Sequence, residues 1–214
     1  MTMHSSITKA SGDIPLRPRA HRTVSLYLLA RMRIDASQDG IARDGLCRVR
    51  NMSASGLMLE SEQMLVAGQM VTVEFRDGSS VTGRVAWAKD KRAGLHIDQT
   101  IDVQALLGHI VGRTARGALA LRTPRFDCDC RALVRFRGRS CKASIANVSI
   151  NGMQLAIVAD IGDLVHVKLP GLPEHAGRVR WCQEGQCGVM LMEPYPFIAM
   201  SRWLASQDRG GAEA

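Results

Sequence analysis

The chain has 214 residues, 46% hydrophobic and 22% charged, with only 4% aromatics, a formal charge of +8 and a sequence pI near 9.6. That length exceeds one small β domain and suits two of about a hundred residues each, with enough apolar material for cores that need no disulfides. The charge is spread evenly, 15 basic against 11 acidic over residues 1–115 and 13 against 9 over 116–214. No basic tail or charge run marks a generic nucleic-acid or membrane binder, and no DNA or RNA partner is expected.

The first 15 residues, MTMHSSITKASGDIP, lack the apolar core of a secretory signal. No apolar run approaches the roughly 18 residues of a membrane helix, so no membrane insertion is expected. Six cysteines (47, 128, 130, 141, 182, 187) form no CxxC pair. The expectation is a cytoplasmic protein with free thiols. Cys128, Cys130, Cys182 and Cys187 lack the close pairing of thiolate ligands, and no metal is expected.

An arginine cluster, RPRAHR (17–22), precedes an alternating segment, LLARMRI (28–34). Leu28, Ala30, Met32 and Ile34 share one face, the period of a half-buried strand. DASQDGIARDG (35–45) reads as a loop, and GLCRVRNMS (45–53) as a second strand. The phrase Asn51-Met52-Ser53-Ala54-Ser55-Gly56 follows, then Gly68 ahead of VTVEF (71–75), then GRVAW (83–87) and GLHI (94–97). Ile101, Ala105, Leu106 and Val111 close the series with a helical apolar pattern.

The whole series then recurs, beginning with the arginines of RTPR (122–125) and the strand CRALVRF (130–136). SCKASIANVS (140–149) runs into Asn147-Val148-Ser149-Ile150-Asn151-Gly152, followed by Gly162, VHVKL (165–169), GRVRW (177–181) and GVML (188–191). Phe197, Met200, Trp203 and Leu204 repeat the helical pattern. Landmarks in the same order at nearly the same spacing mean a duplication. Each unit offers five or six short antiparallel strands, and a closed small barrel hides their edges. The expected fold is mainly β: two tandem barrels over 17–111 and 122–206, joined by a linker at 112–121, each with a flanking C-terminal helix packed on it.

The two Asn-x-Ser-x-x-Gly phrases, each downstream of an arginine cluster, resemble the second ligand motif of the PilZ domain family, bacterial receptor modules for cyclic di-GMP. The resemblance covers nearly the whole chain and implies six-stranded barrels. It also implies a ligand site formed by Arg17, Arg19, Arg22, Asn51, Ser53 and Gly56 in the first unit. In the second, the corresponding residues are Arg122, Arg125, Asn147, Ser149 and Gly152. The family's first motif, Arg-x-x-x-Arg, is broken: Pro18 stands four residues before Arg22, and Leu121 four before Arg125. The chemistry suits the ligand, because an arginine fork meets phosphate oxygens or a guanine edge in pairs, while Asn and Ser reach other guanine atoms.

The same residues have a plainer reading, in which Asn and Ser bond local backbone and Gly takes positive φ at a strand-end turn. Trp87 and Trp181 read as core or lip residues, and Arg31, Arg33, Arg135 and Arg137 as a solvated strand face, with a ligand-facing subset left open. No phosphate loop, metal-spaced cluster or nucleophile elbow indicates an enzyme. Two functions remain. One is a cyclic di-GMP receptor that relays the signal to an effector protein in motility, exopolysaccharide production or related regulation. The other is a scaffold that binds partners without nucleotide. Self-association into a homo-oligomer through the apolar C-terminal helix is compatible with both.

Overall fold

A computed structural model describes residues 27–35, 42–108 and 123–210. The first unit contains β1 (Leu28–Ile34), β2 (Arg43–Ser53), β3 (Gly56–Ser61), β4 (Met70–Glu74), β5 (Ser80–Lys89) and β6 (Arg92–His96). A helical segment, α1, starts at residue 103 and is described to 108. The second unit contains β7 (Phe126–Phe136), β8 (Arg139–Ser149), β9 (Gly152–Leu155), β10 (Leu164–Lys168), β11 (His175–Gln183) and β12 (Gln186–Leu191), then α2 (Phe197–Gly210).

Each set of six strands closes into an antiparallel barrel, in the order β1-β2-β3-β6-β5-β4 and its repeat β7-β8-β9-β12-β11-β10. Closure joins β1 to β4 with Met32 opposite Val73, and β7 to β10 with Val134 opposite Val167. Period-two alternation selects the interiors: Ala30, Met32, Ile34, Leu57, Leu59, Val71 and Val73 fill the first core, and Ala132, Val134, Ile145, Met153, Leu155, Val165 and Val167 the second. Strands this short expose unpaired edges unless the sheet closes, so the barrel is the stable solution.

The repeat extends to backbone detail. Gly68 and Gly162 both take left-handed φ, 92° and 94°, and both donate their N–H to a β-strand carbonyl, Val85 and Val179, at 2.8 Å. The β5–β6 hairpin turns through Asp90 and Lys91 at positive φ, the β11–β12 hairpin through Glu184 and Gly185. Each barrel places its tryptophan after a bulge and lays the indole over the glycine of the adjacent strand. A Cβ on Gly94 or Gly188 would stand 2.1 or 2.0 Å from the tryptophan Nε1. Trp87 and Trp181 are therefore half-exposed covers of a glycine gap.

The helices depart from expectation in two ways. In α1, Val103 is buried and Leu106 and Leu107 pack on the first core, whereas Ala105 is exposed; Val111 lies outside the described residues. In α2, Phe197, Met200, Trp203 and Leu204 are buried in the second core as the pattern indicates, and Trp203 Nε1 donates to the Pro170 carbonyl at 2.8 Å. The opposite side of α2 seats on the first barrel. The fully buried Ser201 hydroxyl donates to the Leu46 carbonyl at 2.9 Å and accepts the Glu62 N–H at 3.1 Å. Leu46 itself is counted in the second core, and the Arg48 guanidinium lies 4.2 Å from the Phe197 ring centroid. Arg202 reaches Glu62 at 3.4 Å at the rim. One helix thus joins the two barrels.

The cysteines also differ from the expected free thiols. The structure bonds Cys128 to Cys130 at the β7 bulge and Cys182 to Cys187 across the β11–β12 hairpin, leaving Cys47 and Cys141 free. The hairpin register makes residues five apart in sequence direct cross-strand neighbours. A search for CxxC spacing passes over such a pair.

Candidate functional site

The repeated phrase occupies the junction of two paired strands in both barrels. Ser53 ends β2 and pairs with Gly56, which opens β3; Ser149 and Gly152 do the same between β8 and β9. The serine hydroxyl donates across the turn to the glycine carbonyl, at 3.3 Å in the first barrel and 3.0 Å in the second. Serine is suited to this because its short hydroxyl reaches backbone three residues ahead.

The glycine does not serve through positive φ. Neither Gly56 nor Gly152 is among the left-handed residues. Their role is close approach: a Cβ would stand 2.6 Å from the Leu95 carbonyl oxygen at Gly56 and 2.3 Å from the Val189 oxygen at Gly152. The neighbouring strand, β6 or β12, leaves no room for a side chain. Ser and Gly are thus accounted for by local architecture in both copies.

The asparagines are not equivalent. Asn147 Oδ1 accepts from Arg125 Nη1 at 2.8 Å, and its Nδ2 donates to Gln154 Oε1 at 2.8 Å. Gln154 is its cross-strand neighbour on β9. At the same place in the first barrel, Asn51 pairs with Met58, which offers no amide. Among the described residues Asn51 has no side-chain hydrogen bond. Arg17, Arg19, Arg22 and Arg122 lie outside the described residues, so only Arg125 of the proposed arginines is located, and it meets its asparagine.

Beside Asn51 the outer face of β2 is basic. Arg50 Nη1 pairs with Glu60 at 2.9 Å and Arg48 with the same carboxylate at 3.7 Å. Tyr27, largely exposed, lies against both guanidiniums, 4.4 Å from Arg50 and 5.7 Å from Arg48 by ring centroid. A cationic face next to the phrase is thus partly neutralised by one carboxylate and partly covered by an aromatic ring.

Arg125 also lines a cleft of 170 Å³ where the barrels meet, together with Thr123, Pro124, Arg31, Glu74, Phe75 and Arg76. Arg31 pairs with Asp44. Arg76 Nε is buried and has no hydrogen-bond partner among the described residues. Burial pulls its guanidinium below the ordinary arginine value, and the adjacent Asp77 charge works the other way. Three guanidiniums line the cleft with Glu74, while Asp44 pairs with Arg31 and Asp77 stands beside Arg76. The charges are thus largely balanced, and the unmatched Arg76 N–H is the group a ligand acceptor would satisfy.

Sequence reading missed Arg76, which sits in an ordinary-looking turn, RDGSS, and did not single out Arg31 from the strand arginines, of which it left a ligand-facing subset open. No local signal distinguishes either residue. The other arginines of that face are paired outside the cleft, Arg33 and Arg137 with Asp44 and Asp163 at 3.4 and 3.0 Å and Arg135 with Glu174. No group of three or more His, Cys, Asp or Glu suited to a metal occurs among the described residues, and no described helix is long and apolar enough to cross a membrane.

Comparison with known proteins adds the family. The solved structures that resemble this one include PlzA of Borreliella burgdorferi in complex with c-di-GMP (11% identity, 85% of this chain and 88% of that one, TM-score 0.41). YcgR of Escherichia coli with c-di-GMP matches at 11% identity over 86% of each chain, TM-score 0.34. The inhibitor of motility MotI/DgrA of Bacillus subtilis matches at 12% over 87% and 99%, TM-score 0.33. No curated protein matches the chain. The PilZ domain model matches twice, over residues 16–113 and 121–199. Two matches spanning both barrels, each containing one Asn-x-Ser-x-x-Gly phrase, settle the affiliation: the chain belongs to the PilZ domain family.

Proposed function

We propose that this protein is a cytoplasmic cyclic di-GMP receptor that passes the signal to an effector protein. The observation that carries the reading is the position of Arg125. It holds Asn147 of the repeated phrase and at the same time lines the arginine-bearing cleft shared with Arg31 and Arg76 of the other barrel. A doubly anionic dinucleotide entering there exchanges the single bond from Arg125 to an uncharged amide oxygen for paired bonds to a phosphate, in which both partners carry charge. It also supplies the acceptor that Arg76 Nε lacks. The first barrel contributes Asn51, Ser53 and Gly56 to a second site, with Arg17, Arg19 and Arg22 as the arginines ahead of its first strand; Arg122 joins Arg125, Ser149 and Gly152 in the second.

Titration calorimetry with cyclic di-GMP tests this directly. Arg125→Ala is expected to weaken binding by about 1.5–3 kcal/mol, roughly 10- to 150-fold. Arg22→Ala is expected to do the same for the first-barrel site. A folded protein that takes up no ligand at tens of micromolar would overturn the receptor reading.

A second reading has its own support. Arg125, Asn147 and Gln154 satisfy one another without ligand, and both Arg-x-x-x-Arg spacings are broken. A nucleotide-free scaffold then uses the barrels to hold a partner. It is favoured if partner capture is unchanged by added cyclic di-GMP and by Arg125→Ala.

A further inference from the structure

We infer that Cys182 and Cys187 form a reversible thiol–disulfide site on the second barrel, which takes low-molecular-weight thiols and disulfides as its reactants. The reading stands apart from nucleotide binding and does not depend on it. The duplication supplies the first argument. At the corresponding places of the first barrel the cross-strand pair is Ala88 and Ala93; in the second it is Cys182 and Cys187. The barrel closes equally with either pair, so the fold does not require sulfur there. Two cysteines placed face to face, Cα–Cα 4.2 Å, make a bond that the fold permits without needing it.

The second argument is that both redox states are accommodated. In the structure the sulfurs are bonded to each other. Cys182 Sγ also lies 3.1 Å from the Ala159 carbonyl oxygen, and Cys187 Sγ 3.3 Å from that of Ile157. After reduction, two S–H groups would find these acceptors already in place, on the segment between β9 and β10. Neither state leaves a buried thiol without a partner. Cys47 differs: it has no disulfide partner, is fully buried with its Sγ 3.5 Å from the Ala30 carbonyl oxygen, and burial pushes its thiol up to about 12.

The third argument is asymmetry of access. Cys182 is exposed, whereas Cys187 is 1% exposed. An external thiolate therefore attacks Cys182 Sγ, forming a mixed disulfide there as the Cys182–Cys187 bond breaks. Cys187 leaves with the electron pair as a thiolate, takes a proton from solvent and donates it toward Ile157. A second external thiolate attacks the sulfur of the bound reductant, releasing Cys182 as a thiolate that takes a proton, while the reductant departs as its disulfide. Two thiols are oxidised and one protein disulfide is reduced. Oxidation by a small disulfide is the same sequence reversed.

The test equilibrates the full chain in glutathione buffers of graded composition, then blocks free thiols by alkylation. Trypsin separates Cys182 and Cys187 from Cys128 and Cys130, and cleavage after Glu184 separates the two members of the pair, so the link is read by peptide mass. The expected result is one transition shared by Cys182 and Cys187, from about a tenth to about nine tenths linked over a hundredfold change in the glutathione ratio, and its return under dithiothreitol. Brief reduction should trap the reductant on Cys182 and not on Cys187. The double variant Cys182→Ala, Cys187→Ala copies the first barrel and should keep its circular dichroism while losing the transition. A pair that stays unlinked in oxidised glutathione, a link that survives dithiothreitol in the folded protein, or independent glutathione adducts on each cysteine would overturn the inference.

Discussion

The two barrels share strand order, a left-handed glycine before β4 and β10, a tryptophan-covered glycine and the serine-closed turn, yet they differ at the points that bear chemistry. Asn51 faces Met58 where Asn147 faces Gln154, and Ala88 with Ala93 stands where Cys182 bonds Cys187. What the copies hold in common is what a closed six-stranded barrel needs. What they do not share is left free by the barrel, and there a side chain has been placed for something other than closure. An internal duplicate thus serves as its own control: a motif residue present in both copies with the same backbone role is explained by architecture, as Ser53 with Ser149 and Gly56 with Gly152.

The sharpest way to break that equivalence is to fill the glycine position. Gly152→Ala is expected to destabilise by about 3 kcal/mol and Gly56→Ala by about 2 kcal/mol, since strand separation must yield to a new methyl in both. The order follows the distances to the facing carbonyl oxygen, 2.3 against 2.6 Å. Urea unfolding measures both; loss of ligand affinity without loss of stability would assign the glycine to the ligand instead. Next in size, Ser201→Ala should cost about 1–3 kcal/mol, because it leaves the Glu62 N–H without an acceptor at the join between the barrels. Small-angle scattering should then show the barrels separating, while Arg202→Ala at the exposed rim changes stability by under about 1 kcal/mol.

Gly94→Ala and Gly188→Ala push the indole off its seat, costing about 1 kcal/mol each, and tryptophan emission should shift to the red in both. A shift in one copy alone would show that the two covers are not equivalent. The smallest change copies one barrel into the other. Lys91 holds positive φ where the second barrel has Gly185, so Lys91→Gly is expected to raise stability by about 0.5 kcal/mol. Relief of the left-handed strain exceeds the loss of the exposed pair with Glu62, at 3.3 Å. Thermal melting resolves it.

Much of the fold was legible before any coordinates. Alternation in LLARMRI and CRALVRF located strands whose interiors hold Ala30, Met32, Ala132 and Val134, and the doubled landmarks led to two barrels. The β-period is local, so it survives in the sequence. The site was less legible. Asn147 could be named, but Gln154 as its partner depends on strand register, and Arg76 reaches the cleft only because β4 ends where the second barrel begins. The Cys182–Cys187 pair is within reach of the sequence, since a short turn between two strands sets residues opposite each other, although its spacing matches no thiolate metal motif.

The sequence by itself determined the duplication, the closed antiparallel barrels and the identity of the repeated phrase, because side-chain alternation and glycine spacing act over a few residues. Tertiary structure alone decided which copies of the phrase have partners, that Arg125 joins Asn147 to a cleft lined by Arg31 and Arg76, and that Ser201 ties α2 to Leu46 and Glu62. Those contacts join residues up to 155 positions apart. No local pattern encodes them, since they arise only when both barrels have closed and the last helix has found the surface of the first.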